Sequence, residues 1–420
     1  MVPTTRPRLE ALTGLRYIAA VCVLLTHMSY NLPPGFGKSW LFTLGAYGMP
    51  LFFTLSGFLM AYNYSLPFRQ KFGRTLRTYY VARFARIYPV YAACLLLSFS
   101  FMGNFFHDLR DHPKDTATTL AFDATLTQSW VHLPVFQDSQ KPRPLSQGYL
   151  GVAWSVSTEA FFYLVFPLVA LPLATFVTGR GRMLVGVAAV YAVFIFAVYL
   201  VTRRLAWEVY DAPGFGNSKT WWKLYLCPYM RFGEFLIGAL VGQYFLLRAD
   251  KPPATGGRWW AGAAMLLGAT AVMVVSSIVL QVPQRFGWLT RPRFLEMLGY
   301  NVLYAPLCAV IIYQLAALPS FAQRALGCRP MVVLGEMSYC LYLLHPLGQS
   351  LFYPRAAGEG PMTNKWVVLY NNLGMVVGLH LMCLGMYRYW EVPAREWLRA
   401  KLDPRPKAPL TVVPADRRAA

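Results

Sequence analysis

Charge is what this chain has least of. Only 14% of its residues are Asp, Glu, Lys or Arg, roughly half of what a soluble globular domain carries, which excludes a water-facing surface over most of the fold. Carboxylates are the scarcer part, 18 Asp and Glu against 39 Lys and Arg. Seven cysteines, Cys22, Cys94, Cys227, Cys308, Cys328, Cys340 and Cys383, lie in or beside apolar stretches. They show neither paired metal-ligand spacing nor a disulfide framework, so a zinc module and a disulfide-stapled secreted fold are both excluded. There is no GxxxxGK phosphate loop, no internal repeat and no spacing that calls for a metal.

What fills the space is hydrocarbon. Hydrophobic residues make up 56% of the 420, aromatic residues 16%, and the mean hydropathy is positive at +0.39. Apolar stretches recur near 12–30, 43–64, 87–106, 149–176, 183–202, 226–247, 259–281, 297–318, 331–353 and 366–387. Most have the ~20 residues needed to cross a hydrocarbon core. The expected fold is therefore all-α and polytopic, with about ten transmembrane helices. Basic residues gather in alternate connections, at Arg6 to Arg16, Arg69 to Arg86, Arg180 and Arg182, Arg248 to Arg258, Arg324 and Arg329, and beyond Arg388. With the inside-positive rule this puts both termini in the cytoplasm. It also accounts for the net charge of +21, so a membrane-lipid surface is the expected partner and nucleic acid is not. The first stretch lacks a small-residue cleavage site and reads as a retained span. The residues after about 390, rich in Pro, Arg and Lys, read as a disordered inward tail. The longest connection, 104–148, carries Asp108, Asp111, Asp115, Asp123 and Asp138 among His107, His112 and His132, and reads equally as a lid over a substrate or as an irregular cap.

Polar residues inside spans are costly, and by default they mark function. In LTGLRYIAAVCVLLTHMSY, Arg16 and His27 are eleven positions apart. That is about three turns and ~16 Å of rise on one helix face. In RFARIYP, Arg83 and Arg86 stand at i and i+3 at the cytoplasmic start of the third helix, a forked pair suited to phosphate and equally to a basic membrane anchor. Three more interruptions lie deeper: Ser56 in LFFTLSGFL, Glu159 in WSVSTEAFFYLVFP and His345 in SYCLYLLHPL. By helical rise Glu159 and His345 converge with His27 near mid-membrane or slightly outside it. Arg231 and Glu234 of RFGEFLIG are expected to pair at i and i+3 as a structural element.

These segments, taken in order with the closing YWEVPAREWL, resemble the membrane-bound acyltransferase family 3, which includes O-acyltransferases of envelope polysaccharides and of macrolides. The resemblance runs over nearly the whole chain and implies a transmembrane acyltransferase domain over 1–390, with 391–420 as a basic cytoplasmic tail. It implies an enzyme in the cytoplasmic membrane of a bacterium that moves an acyl group, by default acetyl, from cytoplasmic acetyl-CoA or another acyl-CoA to a hydroxyl on the far side. The acceptor would be a carbohydrate such as an exopolysaccharide, an O-antigen or a lipid-linked oligosaccharide, in contact with the envelope glycan assembly machinery, or a small secreted metabolite such as a macrolide. Arg16, Arg83 and Arg86 would hold the coenzyme phosphates. His27, an imidazole near neutrality, would act as general base, with Glu159 orienting or recharging it and His345 and Ser56 holding the acceptor or the oxyanion. Family members often carry a fused hydrolase-like domain that this sequence does not, so the chain is expected to complete the transfer itself or with a separate partner. A transporter or flippase, with Glu159, His27 and His345 as a proton relay, is the reading from another class.

Overall fold

The computed structural model describes residues 8–29, 41, 44–101, 105–136, 143–204, 218–248, 264, 266–275, 298–299, 301–353 and 365–403. The long elements are α1 (Glu10–Ser29), α2 (Gly45–Gln70), α3 (Phe72–Phe101), α6 (Trp154–Phe176), α7 (Arg180–Arg204), α8 (Pro228–Arg248), α9 (Ala305–Ala317), α12 (Ser338–Phe352) and α13 (Lys365–Met386). Shorter ones are α4 (Phe105–Asp111), α5 (Pro113–Thr125), α10 (Phe321–Leu326), α11 (Arg329–Glu336) and α14 (Val392–Leu402). A further apolar helix covers Leu266–Val275. Strand pairing among the described residues is one antiparallel ladder of two residues each, Pro134–Val135 with Arg143–Pro144. The fold is all-α and polytopic, as the apolar pattern predicts. Six described helices are long and apolar enough to cross a membrane. The faces of α7 and α13 that carry Val185, Val193 and Phe196, and Leu369, Leu373 and Leu381, are exposed. Apolar faces of that extent are what lipid covers.

α2 is absent from those six although it has 26 residues, and its polar side chains Thr54, Ser56 and Ser65 are buried inside protein. It lies against α1, α6, α8 and α9, and its seam with α8 is a glycine contact. A Cβ on Gly57 would stand 1.9 Å from the Phe235 carbonyl oxygen, and one on Gly238 would stand 1.9 Å from that of Thr54. Small residues that let two backbones touch are a principal source of helix association in lipid. Gly238→Ala is therefore expected to cost about 1–3 kcal/mol of overpacking and to lower the melting temperature of detergent-purified protein. Gly73→Ala, with nothing within 4 Å, should leave it unchanged.

Three expectations change. α3 begins at Phe72, well before the apolar stretch at 87, and in its first turns Thr75 Oγ1 donates to the Pro67 carbonyl and Arg77 to that of Leu402. Arg83 and Arg86 accordingly sit about three and four turns into that helix, not at its start. The ninth stretch is broken at Met337 into α11 and α12. The tail is helical to Leu402: a π-helical turn, Tyr387–Glu391, joins α13 to α14. α14 packs along α3, where Trp390 Nε1 donates to the Pro89 carbonyl and Arg77 Nη2 to that of Leu402, both at 2.9 Å. The stretch 404–420 lies outside the described residues.

The connection over 105–136 and 143–150 is a folded cap. Asp115 accepts the Phe136 N–H at 2.6 Å and Asp123 accepts the Tyr149 N–H at 2.9 Å. Gly148, at φ +51, leaves room that a Cβ would take from the Asp123 carboxylate. These carboxylates hold loop backbone; Asp138 lies outside the described residues.

Candidate active site

The first polar cluster joins opposite ends of the chain. The rings of His27 on α1 and His345 on α12 lie 4.6 Å apart between centroids, tilted by 53°. Each has its Nδ1 on a carbonyl of its own helix, His27 on Val23 at 2.9 Å and His345 on Tyr342 at 2.6 Å. A carbonyl only accepts, so both Nδ1 atoms carry the hydrogen and both Nε2 atoms hold the lone pair in the neutral ring. For His345 the cause is local. Pro346 has no N–H, so the Tyr342 carbonyl four residues back lacks its helical partner and takes the imidazole instead. His345 is 1% exposed and its Nε2 is without a partner, whereas His27 is only half-buried. His27 is thus the accessible member of the pair.

The second cluster is built around Glu159 on α6. Ser56 Oγ donates to Glu159 Oε1 at 3.1 Å, and the Tyr163 hydroxyl, one turn further along α6, donates to the same oxygen. Tyr163 is held in turn: Pro167 frees its carbonyl, which accepts the Tyr79 hydroxyl at 3.1 Å. Ser56, Glu159 and Arg16 face one cavity of about 70 Å³, closed by Tyr339 and Tyr342 of α12. Tyr342 is the link between the clusters. It lines the cavity, its ring is 5.8 Å from that of His345, and its hydroxyl accepts from Ser155 at 2.6 Å and donates to the Val152 carbonyl at 2.9 Å. Ser56 and Glu159 therefore engage each other and Tyr163, one step removed from the histidines.

Arg83 and Arg86 share a face of α3 and differ in company. Arg83 donates to the Tyr64 hydroxyl at 3.3 Å and lies 5.5 Å from the ring centroids of both Tyr64 and Tyr163, with its Nε buried and without a partner. Arg86 is ion-paired with Glu391, the acid of YWEVP, which is 1% exposed and also accepts the Cys340 thiol at 3.2 Å. The sequence carries no sign of that pairing, since the partners are 305 residues apart. Arg231 and Glu234 pair as expected at 3.1 Å, fully buried, with the guanidinium 5.1 Å from the Phe53 and Tyr225 rings and 5.9 Å from Trp154. His380, in the apolar run of α13, accepts the Tyr17 hydroxyl through Nε2 at 2.9 Å, with its Nδ1 on the Val376 carbonyl. The only signal for it is the one that marks His27, a histidine alone in a span. No cluster of three or more His, Cys, Asp or Glu that could hold a metal occurs among the described residues.

A family model described as an acyltransferase domain matches residues 9–387. The chain belongs to this acyltransferase family. It is 28% identical over 375 residues to the acyltransferase MdmB of Streptomyces mycarofaciens, covering 87% of this chain and 85% of that protein. It is 24% identical over 348 residues to YrhL of Bacillus subtilis, a putative peptidoglycan O-acetyltransferase, covering 80% of this chain and 48% of that one. Against the O-acetyltransferase OatA of Staphylococcus aureus the figures are 24% over 344 residues, 80% and 50%. The chain thus spans about half the length of these two O-acetyltransferase relatives. No solved structure matches it. The protein is a multi-pass membrane O-acyltransferase, which sets the transporter reading aside.

Proposed function

We propose that this acyltransferase takes an acetyl group from cytoplasmic acetyl-CoA and places it on a hydroxyl of an extracytoplasmic carbohydrate, in the cytoplasmic membrane of a bacterium, with ten spans and both termini inside. The observation that carries the reading is the His27–His345 pair, tautomerically fixed and displaced along α1 from an arginine-lined cavity. His27 Nε2 takes the proton of the acceptor hydroxyl as its oxygen attacks the thioester carbonyl carbon. The tetrahedral intermediate collapses, the carbon–sulfur bond breaks, and the imidazolium returns the proton to the departing thiolate. His345 holds the His27 ring and the acceptor. Arg83, with no carboxylate on it, and Arg16, on the cavity wall, take the phosphates and lead the pantetheine arm toward His27.

The test is transfer of labelled acetyl from acetyl-CoA by proteoliposome-embedded protein to a panel of envelope glycans, with a macrolide beside them. Label on a glycan is the expected result; label on the macrolide alone would move the acceptor to small metabolites. Arg83→Gln should raise KM for acetyl-CoA about tenfold, the loss of one charge-assisted phosphate bond, and leave kcat near wild type. Arg83→Lys should recover part of it, since the forked geometry is lost while the charge remains.

A further inference from the structure

α14, read from the sequence as disordered tail, carries two arginines on the face turned to α3. Arg395 Nη1 lies 3.6 Å from the Glu391 carboxylate that also holds Arg86. Arg399, one turn on, stands at i+4 on the same face of α14 and is more exposed, and Arg16 lines the cavity it shares with Glu159 from α1. Arg83, Arg86 and Arg395 therefore gather along the α3–α14 seam, with Arg399 one turn further out and Arg16 on the neighbouring cavity wall. The carboxylates among them are Glu391, already shared by Arg86, Arg395 and the Cys340 thiol, and Glu159, already bonded by Ser56 and Tyr163, while Glu396 and Asp403 stand at i−3 and i+4 from Arg399. Glu336 stands at the edge, taken by the Tyr387 hydroxyl and Arg8. Like charges gathered along one seam repel, and an anion that joins them relieves that repulsion. The buried Arg83 Nε without a partner marks where a donor still lacks its acceptor.

The arrangement is also elongated. α14 runs antiparallel to α3, with Glu391 beside Arg86 and Leu402 beside Arg77. Arg395 and Arg399 extend the Arg83–Arg86 wall by about another turn. A single phosphate would need one or two of these forks; a series matches a ligand with phosphates at more than one point along it. We infer that Arg395 and Arg399 of α14 form the outer half of the donor site and bind the phosphates at the nucleotide end of coenzyme A. This rests on the acyl-CoA reading above. α14 then serves as the second wall of that site, placed by the Glu391 ion pair.

The experiment is binding of coenzyme A and of 3′-dephospho-coenzyme A to the detergent-purified full chain by calorimetry, for wild type, Arg395→Gln/Arg399→Gln and Arg395→Lys/Arg399→Lys, with melting temperatures in parallel. Wild type should prefer coenzyme A to the dephospho form. The double Gln variant should bind coenzyme A about tenfold or more weakly and lose that preference, at a melting temperature close to wild type, and the double Lys variant should retain an intermediate affinity and preference. Wild-type affinity in a folded double Gln variant overturns the inference while leaving the donor reading in place. If the Gln variant fails to fold, a folded Lys variant with unchanged affinity and unchanged preference overturns it equally. No binding of coenzyme A by wild type removes both the inference and the donor reading.

Discussion

His27→Ala is expected to abolish most acyl transfer, a loss of about 10²–10⁴-fold in kcat, the usual contribution of a positioned general base, with the protein still inserted and folded. The ring is half-buried and its Nδ1 lies on the Val23 carbonyl of its own helix, which keeps its helical N–H when the ring is removed. His345→Ala should cost less in kcat and more in stability. Its ring is fully enclosed, and without it the Tyr342 carbonyl loses the donor that replaces the helical N–H missing at Pro346. The check is the pair of rates at saturating acetyl-CoA beside the two melting curves. Wild-type turnover in His27→Ala would remove that residue from the mechanism.

Much of this site was legible in the chain itself, because a polar group in a long apolar run stands out. Arg16, His27, Ser56, Glu159 and His345 could each be picked out in that way. What could not be read was who meets whom. Ser56 and Glu159 are 103 residues apart, Tyr17 and His380 are 363 apart, and such pairings follow from helix packing, which has no local signature. The seam that sets one of them depends on the absence of a Cβ at Gly57 and Gly238. The arginines of α3 were misplaced for a related reason. Hydropathy ends a span at a charge, yet Glu391 and the Tyr64 and Tyr163 rings let the helix carry Arg83 and Arg86 inward. Likewise α14 is too polar and too short for a span, and its order comes from α3 and from Glu391, not from its own sequence.

The largest effect on stability is expected from Arg231→Leu. Its guanidinium is fully buried, bonded to Glu234 and ringed by Phe53, Trp154 and Tyr225, so it ties α8 to α2 and to the start of α6. Removing it leaves the Glu234 carboxylate, whose Oε2 already lacks a partner, unpaired in an interior that water does not reach. Breaking a buried pair from one side costs about 3–5 kcal/mol, and the lost cation–π contacts add ~1–2 kcal/mol. For a membrane protein that margin separates a good yield from none. Arg231→Leu/Glu234→Leu should recover much of the loss, since replacing both charges by apolar groups of similar volume is often neutral. Fluorescence-detected size exclusion and thermal melts of the two variants decide the matter. A single variant as stable as wild type would show that the pair does not hold this junction.

The prolines after His345 and within α6 carry a consequence for anyone redesigning this enzyme. Each removes a helical hydrogen bond, and each vacated carbonyl is taken by a side chain of the site, the His345 imidazole in one case and the Tyr79 hydroxyl in the other. A stability screen that rewards regular helices would favour Ala at both positions, and every such gain would free an imidazole to turn or let Tyr163 shift beneath Glu159. Thermal robustness and catalytic order are thus set against each other at two imino acids, where a search for one would erode the other without touching a residue that meets substrate.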